Sequence, residues 1–272
     1  MASTAALDVR LHYEDTGGRG RPVVLIHGWP LSGEAWAPQV PALKEAGFRV
    51  ITYDRRGFGQ SDKPESGYDY DTLAEDLERL MDGLRLEDAV LVGFSMGGGE
   101  VARYIGNHGE SRLSAAVFAC AVPPYLAQTP GNPNGPLTAD TAEEMEAGLK
   151  EDRDGFFEDF THDFFSVDGT LKVPEEERER AAALCRQSSQ TAALGCMEAF
   201  GTTDFRSDLR RVTVPTLVIH GDSDAIVPLE GSGQRTHEAI SGSKLVVLKG
   251  APHGANASHA KEFNEALIDF LT

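Results

Sequence analysis

Gly93-Phe94-Ser95-Met96-Gly97 sets a serine between two glycines, after a short apolar run and ahead of a helical pattern. Strand, sharp turn and helix are the setting in which such a serine has its hydroxyl lifted clear of a sheet as a nucleophile. Small residues at 93 and 97 let neighbouring backbone approach the turn. Each further glycine of Gly97-Gly98-Gly99 costs a helix start about 1 kcal/mol against alanine, so close packing or catalysis must require it.

A nucleophilic serine needs a base and an acid to orient that base. After this kind of turn they follow in the order serine, acid, histidine. Two loops at the ends of later apolar runs carry them: His220-Gly221-Asp222-Ser223-Asp224 and Gly250-Ala251-Pro252-His253-Gly254. We read His253 as the general base and Asp224 as its orienter. Asp222 is the alternative acid, although its ordinary use is to hold its own turn. An oxyanion hole needs two backbone donors, each worth about 10²–10³ in turnover. The N–H of Met96, next to the serine, is one. The other comes from an early strand-end loop, His27-Gly28-Trp29-Pro30, where Trp29 has the N–H and Pro30 has none. Pro30 also restricts the backbone of Trp29, which predicts a fixed Trp29 carbonyl able to accept a hydrogen bond from an attacking peroxide.

The other candidates read as structural. His27 and His220 each end a strand before a glycine. His12, His108, His162, His237 and His259 lack a paired context, and no histidine–carboxylate group has metal-ligand spacing, so no metal is expected. Asp54-Arg55-Arg56-Gly57-Phe58-Gly59 lacks the third glycine and the immediate helix of a dinucleotide loop and reads as a turn. Asn256-Ala257-Ser258 matches a glycosylation sequon, of little meaning without a secretion signal.

The elements that must position these residues are legible as patterns. Val23–Ile26, Val50–Tyr53, Ala89–Val92, Ala115–Phe118, Thr216–Ile219 and Leu245–Leu248 are short continuous apolar runs, as in parallel strands covered on both faces. Leu7, Val9, Leu11 and Tyr13 alternate and predict an edge strand. Leu73, Leu77, Leu80 and Leu84 recur at helical spacing, with Thr72 and Glu75 fitting a capping box. Val101 with Ile105, and Phe263, Leu267, Phe270 and Leu271, predict two more helices. Strands alternating with helices make an α/β, doubly wound, mostly parallel sheet. Residues 123–211 break the alternation. They open with Pro123-Pro124 and a turn-rich stretch, continue as three charged segments with helical character, and are too long for a structureless loop. The expected organisation is a core of 1–122 and 212–272 with 123–211 as a helical cap over the strand ends, where ligands bind in such sheets. Phe156, Phe157, Phe160, Phe164 and Phe165 within it either pack cap against core or line a small apolar pocket. Pro30, Val122, Phe160, Phe164 and Ile226 are the expected pocket residues.

The 272 residues carry a formal net charge of −18, which disfavours nucleic acid and anionic membrane as partners. Residues 123–211 hold 18 acidic against 9 basic side chains, and clusters such as Glu175-Glu176-Glu177 read as solvated helix faces. No apolar run approaches the roughly 18–20 residues of a membrane span. The start, Met1-Ala2-Ser3-Thr4, has neither the basic nor the apolar region of a secretory signal. Cys120, Cys185 and Cys196 form no disulfide framework, which fits a reducing cytoplasm. The expected partner is a small molecule, and a homo-oligomer is compatible with the composition.

Taken together, these residues resemble the α/β-hydrolase family almost end to end. Within it they are most similar to the cofactor-free haloperoxidase, perhydrolase and aryl-esterase group. The shared phrases are His27–Gly33, Arg49–Ser61, Gly93–Gly97 with Gly99–Tyr104, and Gly250–Gly254. Gly98 departs from a threonine common in relatives, and the segment after His253 lacks their apolar residues. The resemblance implies a Ser95–Asp224–His253 triad, Trp29 and Met96 as oxyanion donors, and no cofactor, metal or haem. It implies hydrolysis of small carboxylic esters through an acyl-enzyme. Peroxide attacking that acyl-enzyme would release a peracid, which oxidises halide as a side reaction. Lactone or lactam hydrolysis would use the same residues. Dehalogenase and epoxide hydrolase chemistry puts a carboxylate where Ser95 stands. A non-catalytic receptor on this fold would often lack a triad member.

Overall fold

A computed structural model of the chain describes residues 9–272. The strands are β1 (Tyr13–Asp15), β2 (Pro22–Ile26), β3 (Arg49–Tyr53), β4 (Ala89–Phe94), β5 (Leu113–Ala119), β6 (Ser166–Val167), β7 (Thr170–Leu171), β8 (Thr216–Gly221) and β9 (Lys244–Leu248). Seven form one sheet in the order β1-β3-β2-β4-β5-β8-β9, and β6 with β7 is a separate hairpin. Only β1 runs antiparallel to its neighbour in the large sheet. The six apolar runs are thus all parallel strands. Val23–Ile26 and Val90–Val92 are fully buried, as residues covered on both faces must be.

The helices are α1 (Gln39–Glu45), α2 (Tyr70–Gly83), α3 (Met96–His108), α4 (Ala139–Glu151), α5 (Arg153–Phe165), α6 (Glu175–Arg186), α7 (Gln190–Thr202), α8 (Arg206–Leu209), α9 (Gly233–Ala239), α10 (Ala255–Ser258) and α11 (Ala260–Leu271). Helix α2 buries Leu73, Leu77 and Leu80 against α3, and α11 buries Phe263, Leu267 and Leu271. Helices α4 to α7 lie between β5 and β8 in the chain.

Several expectations need correction. Helix α2 starts earlier than the leucine pattern suggests: Asp69 is the cap, accepting from the Thr72 N–H, so Thr72 is already inside the helix. Of the alternating residues at the start, only Tyr13 falls within β1, and Leu7 lies outside the described residues, as do Met1 to Thr4. Strand β9 has no partner beyond it, so Val247 stays 43% exposed in a run expected to be covered on both faces. Residues 123–211 contain four long helices rather than three charged segments. The fourth, α7, holds a single charged residue, Glu198, so a charge-based reading passes over it. The acidic start of α6 is an exposed face, with Arg178 paired to Glu175 and Arg180 to Glu177.

Candidate active site

Strands β2, β4, β5, β8 and β9 run parallel, so the loops that follow them gather at one edge of the sheet. Ser95 directly follows β4 with φ +53° and ψ −119°, outside the usual regions for a residue with a side chain. Such a conformation costs about 1–3 kcal/mol and persists only where its surroundings impose it. They do so here. A Cβ at Gly93 would strike the Gly97 backbone, one at Gly97 the Ile26 carbonyl, one at Gly98 the Ala121 methyl and one at Gly99 the Tyr70 ring. The glycines that weaken the start of α3 let it press against β2, α2 and the loop after β5.

The Ser95 hydroxyl meets His253 Nε2 at 2.9 Å, and His253 Nδ1 meets Asp224 Oδ2 at 2.7 Å. The carboxylate only accepts, so Nδ1 carries the proton and Nε2 is left to accept the serine hydroxyl. All three side chains are buried. Burial alone would raise the Asp224 pKa. The His253 charge and hydrogen bonds from His220 and His253 outweigh it and hold the carboxyl at about 2. Its other oxygen accepts from the Ile226 N–H at 3.0 Å and the Val227 N–H at 2.8 Å. The rings of Phe94 and Phe164 flank the imidazole, with centroids 5.2 and 5.0 Å away.

Asp222 stands apart from His253. It is exposed and accepts from the Gly250 N–H at 2.6 Å, tying the β8 loop to the β9 loop. His220, by contrast, is more than a structural end to β8. Its Nε2 lies 2.8 Å from the Val227 carbonyl and 3.3 Å from Asp224 Oδ2. The signal was in the sequence: His220 and Asp224 are four residues apart in one strand-end loop. His27 does hold structure, accepting from the Arg55 N–H at 3.0 Å while the Arg55 guanidinium bonds the His27 carbonyl at 2.6 Å. The Asp54 turn is spent on internal bonds, with Oδ1 on the Gly33 N–H and Oδ2 on the Gln60 N–H, both at 2.8 Å. Asn256 of the sequon is buried and donates to the Ala35 carbonyl at 3.0 Å.

Trp29 and Met96 both adjoin Ser95 in the site, and among the described residues neither backbone N–H has a hydrogen-bond partner. The Trp29 indole donates to the Ala193 carbonyl at 2.9 Å, and the Phe164 carbonyl accepts from the Gly254 N–H at 2.8 Å. Helices α7 and α5 are therefore bonded to the loops that carry Trp29 and His253. A cavity of about 360 Å³ opens above Ser95 and His253, walled by Trp29, Val122, Phe160 and Ile226. Pro30 and Phe164, expected in that wall, are not in it. Pro30 is buried, and the Phe164 ring packs against His253. The five phenylalanines divide: Phe156 and Phe160 face the cavity, while Phe157, Phe164 and Phe165 are buried in packing. Phe200, Met145 and Leu126 also line it and were missed, Phe200 because it sits on the overlooked α7.

Among the described residues no group of three or more His, Cys, Asp and Glu is placed to hold a metal, and no helix is long and apolar enough to cross a membrane. The three cysteines are buried and unpaired.

Residues 21–260 match the family model described as alpha/beta hydrolase fold. A non-heme chloroperoxidase of Kitasatospora aureofaciens is 41% identical over 97% of this chain and 96% of its own length. A bifunctional esterase/perhydrolase of Acinetobacter calcoaceticus is 34% identical over 97% and 96%. The crystal structure of a bromoperoxidase from Bacillus anthracis superposes with a TM-score of 0.95 at 55% identity, covering 97% of this chain and 95% of that one. With its sheet, its strand-end loops and these end-to-end likenesses, the chain belongs to the α/β-hydrolase family and is a hydrolase.

Proposed function

We propose that the protein cleaves small carboxylic esters through an acyl-enzyme on Ser95. The observation that carries this reading is the unbroken hydrogen-bonded line from Asp224 through His253 to Ser95, ending under an apolar cavity beside two free N–H groups. Ser95 Oγ attacks the ester carbonyl carbon while His253 Nε2 takes its proton. The oxygen that becomes negative is held by the Trp29 and Met96 amides, and Asp224 stabilises the imidazolium. The C–O bond of the ester breaks, and the leaving alcohol takes the proton from His253. Water then attacks the acyl carbon with His253 again as base, which releases the acid and restores Ser95.

Hydrogen peroxide in place of water gives a peracid from the same intermediate. The 34% identical esterase/perhydrolase supports this branch. Helices α4 to α7 act in this account as a cap whose Phe156, Phe160 and Phe200 exclude water from the acyl group. The test is a panel of short aryl esters and lactones, with and without peroxide, on wild type and Ser95→Ala. We expect ester hydrolysis by wild type and a loss of about 10⁴-fold or more in the variant, since triad members act as a unit. Turnover retained in clean Ser95→Ala protein would overturn the proposal.

A further inference from the structure

A second cavity of about 820 Å³ lies between α4 and α7 and shares Leu137, Met145 and Phe200 with the cavity over Ser95. All three are half-buried side chains that pack against the core from the partition between the chambers. The walls of the outer chamber are largely apolar, Ala142 and Leu194 among them. The lining of the two chambers includes five carboxylates, Glu143, Glu146, Glu198, Asp159 and Asp163, of which Glu146 is paired with Lys150 on the same helix, and no lining Lys or Arg. Both volumes fall in the range of about 300–1,000 Å³ in which small molecules are held.

We infer that the outer chamber is a binding site for the non-reacting chain of a longer ester, apolar along its length and ending in a neutral or cationic group. This rests on the esterase reading and names its substrate class. The inner cavity holds the scissile carbonyl over Ser95. A chain that extends past Phe200 and Met145 exchanges water for the apolar wall of α4 and α7. Each methylene so buried raises kcat/KM by up to about fourfold. A chain ending in a carboxylate meets the surrounding Asp and Glu charges and is disfavoured, by a margin that shrinks as salt rises.

The experiment measures kcat/KM for p-nitrophenyl esters from acetate to decanoate, and for acetates of primary alcohols of matching length. The two series distinguish an acyl from an alcohol chain in the chamber. It uses wild type, Ala142→Trp and Leu194→Trp, which add bulk from opposite walls of the chamber at residues that do not line the inner cavity. In wild type, kcat/KM should climb with chain length in one series. Both variants should hydrolyse acetate as wild type does while losing the long-chain gain. An octanoyl ester ending in carboxylate should be slower than its trimethylammonium counterpart at low salt. A profile that is flat beyond butyrate in both series, or a long-chain gain that survives both substitutions, would overturn the inference while acetate hydrolysis leaves the esterase reading standing. Failure of wild type on acetate would instead strike at that reading.

Discussion

His220 near the end of β8 and Asp224 in the loop after it face each other, with His220 Nε2 at 3.3 Å from the same carboxylate oxygen that bonds His253. The Val227 carbonyl, 2.8 Å from that nitrogen, can only accept, so Nε2 carries a proton. His220 Nδ1 is buried with no partner among the described residues. His220 thus stands against Asp224 Oδ2 on one side while His253 bonds the same oxygen on the other.

His220→Leu should lower kcat about tenfold with little change in KM, because a hydrogen bond to a charged acceptor is worth about 1.5–3 kcal/mol. His220→Gln, whose amide can still donate, should recover part of the loss. Steady-state kinetics on both variants checks this, and a purely packing role would instead leave kcat intact and lower only the melting temperature.

Asp224→Asn should cost about 10⁴-fold in kcat, the scale of losing the residue that fixes the imidazole tautomer. Asp222→Asn should leave kcat near wild type, since that side chain accepts only from the Gly250 amide and the Ser223 hydroxyl and does not reach His253. Ester hydrolysis by the two variants, side by side, decides between them, and the reverse order would transfer the acid role to Asp222.

Beneath the site a fully buried ion pair joins Arg55 to Glu100, with Arg55 Nε 2.5 Å from Oε1 and the Tyr53 hydroxyl 2.7 Å from Oε2. Arg55 also grips the His27 carbonyl, so the pair ties the Trp29 loop to α3 behind Ser95. Glu100→Ala leaves a buried guanidinium without its carboxylate and should destabilise the fold by about 3–5 kcal/mol. Urea unfolding gives the value, and a change under about 1 kcal/mol would show the pair to be dispensable.

Acid should weaken the fold in two stages. Burial, reinforced by the Arg55 charge, holds the His27 imidazole well below its ordinary 6.5, so the folded chain keeps it neutral. Asp224 sits at about 2 against an ordinary 3.8. In both cases the unfolded chain binds the proton more readily, so stability is present above the unfolded pKa and falls as pH falls. His27 acts from about 6.5 downward and Asp224 from about 4 toward 2, each at up to about 1.4 kcal/mol per pH unit. Urea midpoints at pH 7.5, 6.5 and 5.5 should decline, and His27→Gln should flatten that decline. Stability unchanged from pH 7.5 to 5.5 would contradict the assignment.

The parallel strands, the turn at Ser95 and the loops bearing Asp224 and His253 were all legible, because a fully covered strand must be continuously apolar and a nucleophile turn must be walled by glycine. The last strand misled because apolar sequence does not reveal that β9 has no neighbour beyond it. Helix α7 carries no charge pattern to reveal it, although Phe200 and the Ala193 carbonyl reach the site from it. Helical spacing alone puts Phe164 with the cavity residues, whereas its ring packs against His253. Spacing identifies which residues share a helix but not which neighbour each one meets.

The claim that Ser95 is the nucleophile is tested most directly by reacting the protein with a fluorophosphonate and locating the label by peptide mass spectrometry. A single adduct is expected, on the peptide containing Ser95, blocked in His253→Ala. An unlabelled protein, or label on another serine with Ser95 unmodified, would contradict it.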